Sequence, residues 1–478
     1  MQLANNQFST VSLKMKKEST VLSGEIYQKI LKENSYEKMK EKKTGLVGVR
    51  VDINSPLSVD EIDGKIYKRV VKSPRMDVCA ETIVKITKMG YVPVIFAHQG
   101  RYTKDGPDAN CISLESHADL LNGMLHNINV HFQNDSLQNL SEYDFIGLQP
   151  GDAVVLENTR MEMIPNVGSL ENNLEEGRKI FNKVFDPIFD YYIIDAFPTS
   201  HRANTSLAPV FDTTPILFGP EFIKEFEQIE RIRKRLYSSQ PIMFGFGGAK
   251  FDKLENMKKI LSRKNVIAFF GGIPAQLLLR AGGYSLGKLN NEFLENRGVD
   301  VAKELLEVLK NGADFYLPID FTVKIGDAGR TIRTLSIADV AKHDDGMILD
   351  IGEHTVNYFI NDIILSFLSS SSGMFIKNNN DLKEFEWCFV QAGPFGKVDE
   401  YGLNTLPFIA RLLKKDLNIT ILGGDSAAYM RTSGFGDAIE VILSGGAALS
   451  YLATGKIKCI DKNPNFRKYF DQATTKKE

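Results

Sequence analysis

Residues 45–56 read GLVGVRVDINSP: a short apolar run, interrupted by Arg50, that stops at Asp52 and Asn54. A brief run rich in valine and isoleucine that ends in polar residues reads as a buried strand. The same form recurs at YVPVIFAH (91–98), DAVVLEN (152–158) and YYIIDAF (191–197), and residues 79–89 and 171–185 between them carry helical patterns. Strand and helix in alternation argue for a parallel, doubly wound sheet. Ligand sites in such sheets form beyond the carboxyl ends of the strands, so the polar residues just past each run are the candidates for function.

Downstream, Phe222, Ile223, Phe226, Ile229 and Leu236 lie on one helical stripe with charges between them. This stripe separates the first strands from a second series: PIMFGFGGAK (241–250), NVIAFFGG (265–272), DFYLPIDF (314–321), GMILDIG (346–352), WCFVQAGPFG (387–396) and ITILGGDS (419–426). A chain of 478 residues exceeds what one core usually organises. The expected division is a polar extension at 1–44, a first lobe at 45–219, a connecting helix at 220–237, a second lobe at 238–445 and a C-terminal segment at 446–478. The extension, mixed in Lys and Glu, is expected to be partly helical, disordered or lying on the surface, and not needed for chemistry. SFLSSSSG and IKNNNDLK, within 366–386, read as a flexible surface insertion.

Composition is ordinary for a globular chain: 43% hydrophobic, 25% charged, net charge −2 and pI 6.4. That balance gives no reason to expect nucleic acid or an anionic membrane as partner. Cys79, Cys111, Cys388 and Cys459 have no CxxC spacing and read as reduced thiols. No run resembles a signal peptide or a membrane span, so a cytoplasmic location is expected.

Several first-half strand ends carry groups suited to an anion: Arg50 to Asn54, His98-Gln99-Gly100-Arg101, Glu157 to Arg160, and Asp195 followed by His201 and Arg202. Arg75 precedes a helix. Arginine offers planar paired donors and stays charged, which suits phosphate and carboxylate. Arg75, Arg101, Arg160 and Arg202, with His98 and His201, are expected to form a basic bowl, with Asp52 and Asn54 holding a hydroxyl. In the second half, Gly247-Gly248-Ala249-Lys250 offers amides and a lysine after a strand, without the spacing of a Walker A loop. Gly423-Gly424-Asp425-Ser426 suits a nucleotide phosphate with Mg²⁺, which favours carboxylate and phosphate oxygens. Asp399 is placed to accept from a ribose hydroxyl, and residues 444–448 (SGGAA) offer further amides at a helix start.

Taken together and in order, these motifs resemble the phosphoglycerate kinase family from about Gly45 to Lys456. VRVDINSP, AHQGR, LENTR and DAFPTSHRANTS carry the likeness in the first half; FGGAK, LPIDFTV, LDIGEHT, AGPFG, GGDSAA and SGGAALSYLATGK carry it in the second. FFGGIPAQLLLRAGGYSLGKLN looks like archaeal members. The resemblance implies an α/β fold of two Rossmann-like lobes, each a parallel β-sheet flanked by helices, joined by an interdomain helix and hinge, with the C-terminal segment returning to the first lobe. It implies that Asp52, Asn54, Arg75, His98, Gln99, Gly100, Arg101, Arg160 and Arg202 serve phosphoglycerate. Lys250, Asp399, Gly423, Gly424, Asp425 and Ser426 would serve the nucleotide, with Asp425 on Mg²⁺ and Arg75 and Lys250 on the moving phosphoryl. The implied partners are 3-phosphoglycerate or 1,3-bisphosphoglycerate and ADP or ATP, in a monomer or small homo-oligomer.

The chain departs from the family pattern, chiefly on the nucleotide side. Leu254 stands for a second lysine, Asp399 for a glutamate, and Leu422 and Ala447 for glycines; Ala97 and Tyr102 replace the residues flanking HxGR. The alternative is a non-catalytic or altered-specificity relative that binds a phosphorylated small acid.

Overall fold

The computed structural model describes residues 17–42, 44–103, 106–248, 254–295, 298–326, 331–374, 387–397, 404–415, 417–424, 426, 429–430, 433–435 and 438–475. Lys250, Asp399 and Asp425 lie outside them, as do 375–386 of the insertion.

Among the described residues, two six-stranded parallel sheets organise the fold. The first holds β1 (Leu46–Val51), β2 (Val92–Phe96), β3 (Asn129–Gln133), β4 (Asp152–Leu156), β5 (Tyr191–Asp195) and β6 (Ile216–Phe218) in the order β6-β5-β1-β2-β4-β3. The second holds β7 (Ile242–Phe246), β8 (Val266–Phe270), β9 (Asp314–Tyr316), β10 (Cys388–Ala392), β11 (Asn418–Leu422) and β12 (Glu440–Ile442) in the order β9-β8-β7-β10-β11-β12. β1 is central, with Val49 in register with Ile95 on one side and Ile193 on the other. Helices cover both faces of such a sheet, so its inner strands are apolar throughout; every residue of β2, β4, β7 and β8 is buried.

The run at 346–352 does not continue the parallel series. Met347–Ile351 pairs antiparallel with Asp320–Ile325, which also pairs antiparallel with Thr331–Ser336, in a separate three-stranded sheet. An apolar run carries neither its direction nor its partner; the short link from 325 to 331 leaves no room for a crossover helix and enforces a hairpin. The expected flexible insertion is helical over Leu365–Met374, continuing from Glu353–Asn357 and the π-helical Tyr358–Ile364.

Five helices frame the junction between the sheets: α1 (Lys17–Glu33), α2 (Pro74–Lys88), α3 (Pro220–Leu236), α4 (Gly446–Thr454) and α5 (Arg467–Thr475). α3 runs from just after β6 to just before β7. Its first turn is capped by Asp195, whose Oδ1 accepts from Phe222 N at 2.9 Å while Oδ2 accepts from Thr82 Oγ1 at 2.6 Å. Asp195, expected beside the anion site, is thus a buried helix cap. A Cβ on Gly219 would lie 2.4 Å from the Asp195 carboxyl carbon, which explains the glycine there.

The C-terminal segment packs on the first lobe, with Cys459 N donating to Ser200 O at 3.1 Å and Asn463 Nδ2 to Pro209 O at 3.0 Å. The described part of the N-terminal extension, from Lys17 on, does not simply lie on the surface. Tyr27, Ile30 and Leu31 of α1 are at most 3% exposed. The Tyr27 ring stands edge-on to Phe226, Tyr451 and Phe470 at 5.9–6.3 Å, and its hydroxyl donates to Asp461 Oδ1 at 2.5 Å. Phe218 N donates to Asn34 O at 2.7 Å, so the segment also joins the edge of the first sheet. We therefore expect Tyr27→Ala to cost about 3–5 kcal/mol, the range for emptying a buried aromatic site. Denaturant unfolding measures it; a loss under 1 kcal/mol would return α1 to the surface.

α3 also carries the fully buried Glu225, whose Oε1 accepts from Leu443 N at 2.7 Å and so ties the end of the second sheet to the helix. Burial, and then the charge of Glu221, push this carboxyl up to about 8 from 4.5. A carboxyl raised on folding contributes stability that is complete below its unfolded value and is lost as pH rises through its folded value. Glu225→Gln removes that titration and keeps an acceptor for Leu443 N. The melting temperature of the variant should therefore gain on the parent as pH rises from about 4.5 to 8 and level off above. A difference independent of pH would show that Glu225 is not held protonated.

Candidate functional site

The first site assembles where β1, β2, β4 and β5 end. His98, just past β2, is 3% exposed, and its Nδ1 lies 2.9 Å from Nη2 of Arg50, itself 2% exposed. Arg50 Nε donates to Ser206 Oγ at 2.8 Å, and Nη1 donates to Val51 O. Burial, then the charges of Arg50, Arg160, Arg202 and Arg75, hold His98 well below the usual histidine range. Arg160 is pushed down to about 10, first by burial and then by Arg202 and Arg50, with Glu171 and Asp52 opposing. Four cations therefore share one bowl with two carboxylates, an imbalance that favours an anion.

Backbone and amide bonds fix the rim. Asn54 Oδ1 accepts from Gly100 N at 3.0 Å, and Arg160 Nη1 donates to Gly100 O. Asn158 Nδ2 donates to Gln99 O at 2.9 Å. Both polar atoms of the Gln99 side chain are committed: Oε1 accepts from Ser55 N at 3.0 Å, and Nε2 donates to Ser55 O at 3.0 Å. Gln99 thus braces the loop after β1. Arg101 is exposed and is not among the cations acting on His98. His201 is half-buried in the turn after β5.

Arg75 stands in the first turn of α2, not in the loop before it. Its Nη1 donates to Asp52 Oδ2 at 2.5 Å. Its other edge abuts the second lobe: a Cβ on Gly424 would lie 2.9 Å from Arg75 Nε and 3.0 Å from Nη2. The guanidinium is thus held from one side by Asp52 and presents its Nε–Nη2 fork to the glycine pair after β11. Gly423 has φ +113°, where an L side chain is strained. A Cβ there would come within 3.9 Å of Gly445 Cα, so the 423–424 turn lies beside the start of α4. Ser426 is 8% exposed.

The first glycine pair serves another purpose. Gly247 N donates to Ala392 O at 3.1 Å and Gly248 N to Pro394 O at 2.6 Å. Gly272 N donates to Phe395 O at 2.6 Å, and Ile273 N to Gly248 O at 3.1 Å. The turns after β7, β8 and β10 pack backbone on backbone, and the Gly247 and Gly248 amides are spent there instead of facing a phosphate.

The sequence brings up Arg50 only as part of a strand end and Ser206 only as the last residue of DAFPTSHRANTS, without a role in the bowl for either. It carries no local signal for Glu171, whose partner Ser206 lies 35 residues on.

The family model of phosphoglycerate kinase matches residues 38–456. The phosphoglycerate kinase of Methanococcus maripaludis is 27% identical over 433 residues, covering 87% of this chain and 94% of that one. That of Pyrococcus abyssi is 28% identical over 424 residues, covering 85% and 92%. The crystal structure of phosphoglycerate kinase from Pyrococcus horikoshii superposes with a TM-score of 0.73 at 24% identity, over 91% of this chain and all of that one. With a family model spanning both sheets and the helix between them, the chain belongs to the phosphoglycerate kinase family.

Proposed function

We propose that this chain transfers a phosphoryl group reversibly from 1,3-bisphosphoglycerate to ADP, giving 3-phosphoglycerate and ATP. The observation that carries the reading is the bowl of Arg50, Arg75, Arg160 and Arg202 around His98, with the Arg75 fork turned to Gly424 of the other lobe. Phosphoglycerate would bind in the bowl, with Asp52 and Asn54 near its hydroxyl and Gly100, Arg101, Arg160 and Arg202 at its anionic groups. The nucleotide would bind across β11 and α4, served by Lys250, Asp399, Gly423, Gly424, Asp425 and Ser426. Mg²⁺ arrives with the nucleotide as part of that substrate. One carboxylate beside phosphate oxygens is the donor set magnesium favours, and Asp425 would supply it.

The acid-side nucleophile is a carboxylate, ionised at neutral pH, so the reaction needs no general base. A His98 kept neutral by its surroundings agrees with that: it donates a hydrogen bond and removes no proton. Rate acceleration then rests on alignment and charge neutralisation. Arg75, fixed by Asp52, offers its paired donors to the equatorial oxygens of the transferring group, and Lys250 would add its charge there. The protein would work in the cytoplasm as a monomer or small homo-oligomer without nucleic acid or membrane partner; its near-neutral charge supports the last point alone. Among the described residues no helix is long and apolar enough to cross a membrane.

A coupled assay with purified protein, Mg-ATP and 3-phosphoglycerate tests the activity directly. Arg75→Ala should lower turnover about a thousandfold, with a far smaller effect on phosphoglycerate binding. Near-native turnover would remove Arg75 from the chemistry. Asp399→Glu should change KM for the nucleotide while leaving KM for phosphoglycerate unaltered; equal shifts in both would mean that Asp399 acts through folding or closure.

A further inference from the structure

We propose that Glu171 is a positioning residue for the phosphoglycerate site, acting through Ser206 and Arg50 to fix His98 as the tautomer protonated on Nε2. This rests on the functional reading above. Arg50 has only donors and stays charged, so His98 Nδ1, at 2.9 Å from Arg50 Nη2, must accept. The ring proton is then on Nε2, and Nε2–H is left as a donor. An imidazolium would carry a proton on Nδ1 as well and would face Arg50 donor to donor.

What aims Arg50 is the next link. Its Nε donates to Ser206 Oγ at 2.8 Å. A hydroxyl has one proton, and Ser206 gives it to Glu171 Oε1, while Ser206 N donates to Glu171 Oε2 at 3.0 Å. Glu171 is 2% exposed. The chain of donation runs one way, from guanidinium to hydroxyl to carboxyl, and the two Glu171 oxygens take both protons of Ser206. Ser206 is also pinned by Tyr192, whose hydroxyl donates to Ser206 O at 2.8 Å. The charged groups acting on His98 are Arg50, Arg160, Arg202 and Arg75, all cations. Glu171 opposes them at Arg160, together with Asp52.

The assignment differs from a purely structural role in what it moves. The chain contains seven histidines, so ring ¹⁵N shifts of the full-length, ligand-free protein resolve His98 once His98→Gln identifies its signal. The expected parent spectrum is a neutral ring protonated on Nε2 at neutral pH, as its lowered pKa and the Arg50 contact require. Ser206→Ala, a mild change, cuts the link while keeping both charges, and should leave the ring in mixed tautomers. It should raise KM for phosphoglycerate about tenfold, the worth of one charge-assisted hydrogen bond. KM for Mg-ATP should stay within about twofold. Glu171→Gln should act in the same direction, and the double variant should be no worse than the more damaging single variant, because both break one chain. An unchanged His98 tautomer in both variants, additive effects, or equal changes in both KM values would overturn the proposal. Should the parent show no phosphoryl transfer, the functional reading falls by that assay, while the ¹⁵N shifts still decide whether Glu171 governs His98.

Discussion

Four guanidinium groups gathered around one buried imidazole repel each other, and the loops beyond the first sheet are built to hold them against that repulsion. No exposed surface would keep such a cluster, since free side chains would swing apart. Here Arg50 is locked by Ser206 and Val51, Arg75 by Asp52, and Arg160 by Gly100. The anchors are themselves held: Ser206 by Glu171, Asp52 by Asn54 N, and Gly100 by Asn54 Oδ1. Asp52 and Glu171 supply two negative charges against four positive ones, so the cluster is stable yet still short of anion. A ligand with several negative charges completes it.

The same cluster explains the shape of the junction between the lobes. Arg75 belongs to α2 of the first lobe, but the space beside its Nε and Nη2 is vacated by a residue of the second, Gly424. A side chain at 424 would displace the guanidinium or push the lobes apart. α3 passes nearby with Glu225 bonded to Leu443 N, so the segment leading into α4 is tied to the helix that joins the sheets. α1 then closes over α3, α4 and α5 through the Tyr27 ring. The junction is thus held by residues from both chain ends and the middle, which makes its geometry a property of the whole molecule.

What the sequence disclosed and what it hid follow from the range of the forces involved. β1, β2, β4, β5, β7, β8, β10 and β11 were legible because strands covered on both faces must be continuously apolar. β3 (NVHFQ) is a partly exposed edge strand and β6 has only three residues, so neither carries that pattern. The burial of α1 was invisible because Tyr27, Ile30 and Leu31 stand among lysines and glutamates and meet partners at 226, 451 and 470. At the site, strand-end position alone drew attention to Arg160, Arg202, His98 and Asp52, which do converge. It also drew Asp195 and Gln99, which hold secondary structure and a loop: a polar residue at a strand end serves the backbone or a ligand, and only the three-dimensional partner decides.

The departures from the family on the nucleotide side take a different meaning once their surroundings are known. Leu254, Leu422 and Ala447 are 3%, 1% and 2% exposed, and all three belong to the main hydrophobic core. Leu422 ends β11 opposite Ala392 of β10, and Ala447 lies in the first turn of α4. A lysine at 254 or a glycine at 422 would here leave a buried charge or a void, each costing stability. These positions were filled by packing, while Gly424, where Arg75 needs room, and Gly423, at φ +113°, remain glycine. The substitutions therefore consolidate the second lobe behind the turns and spare the point where the two lobes meet.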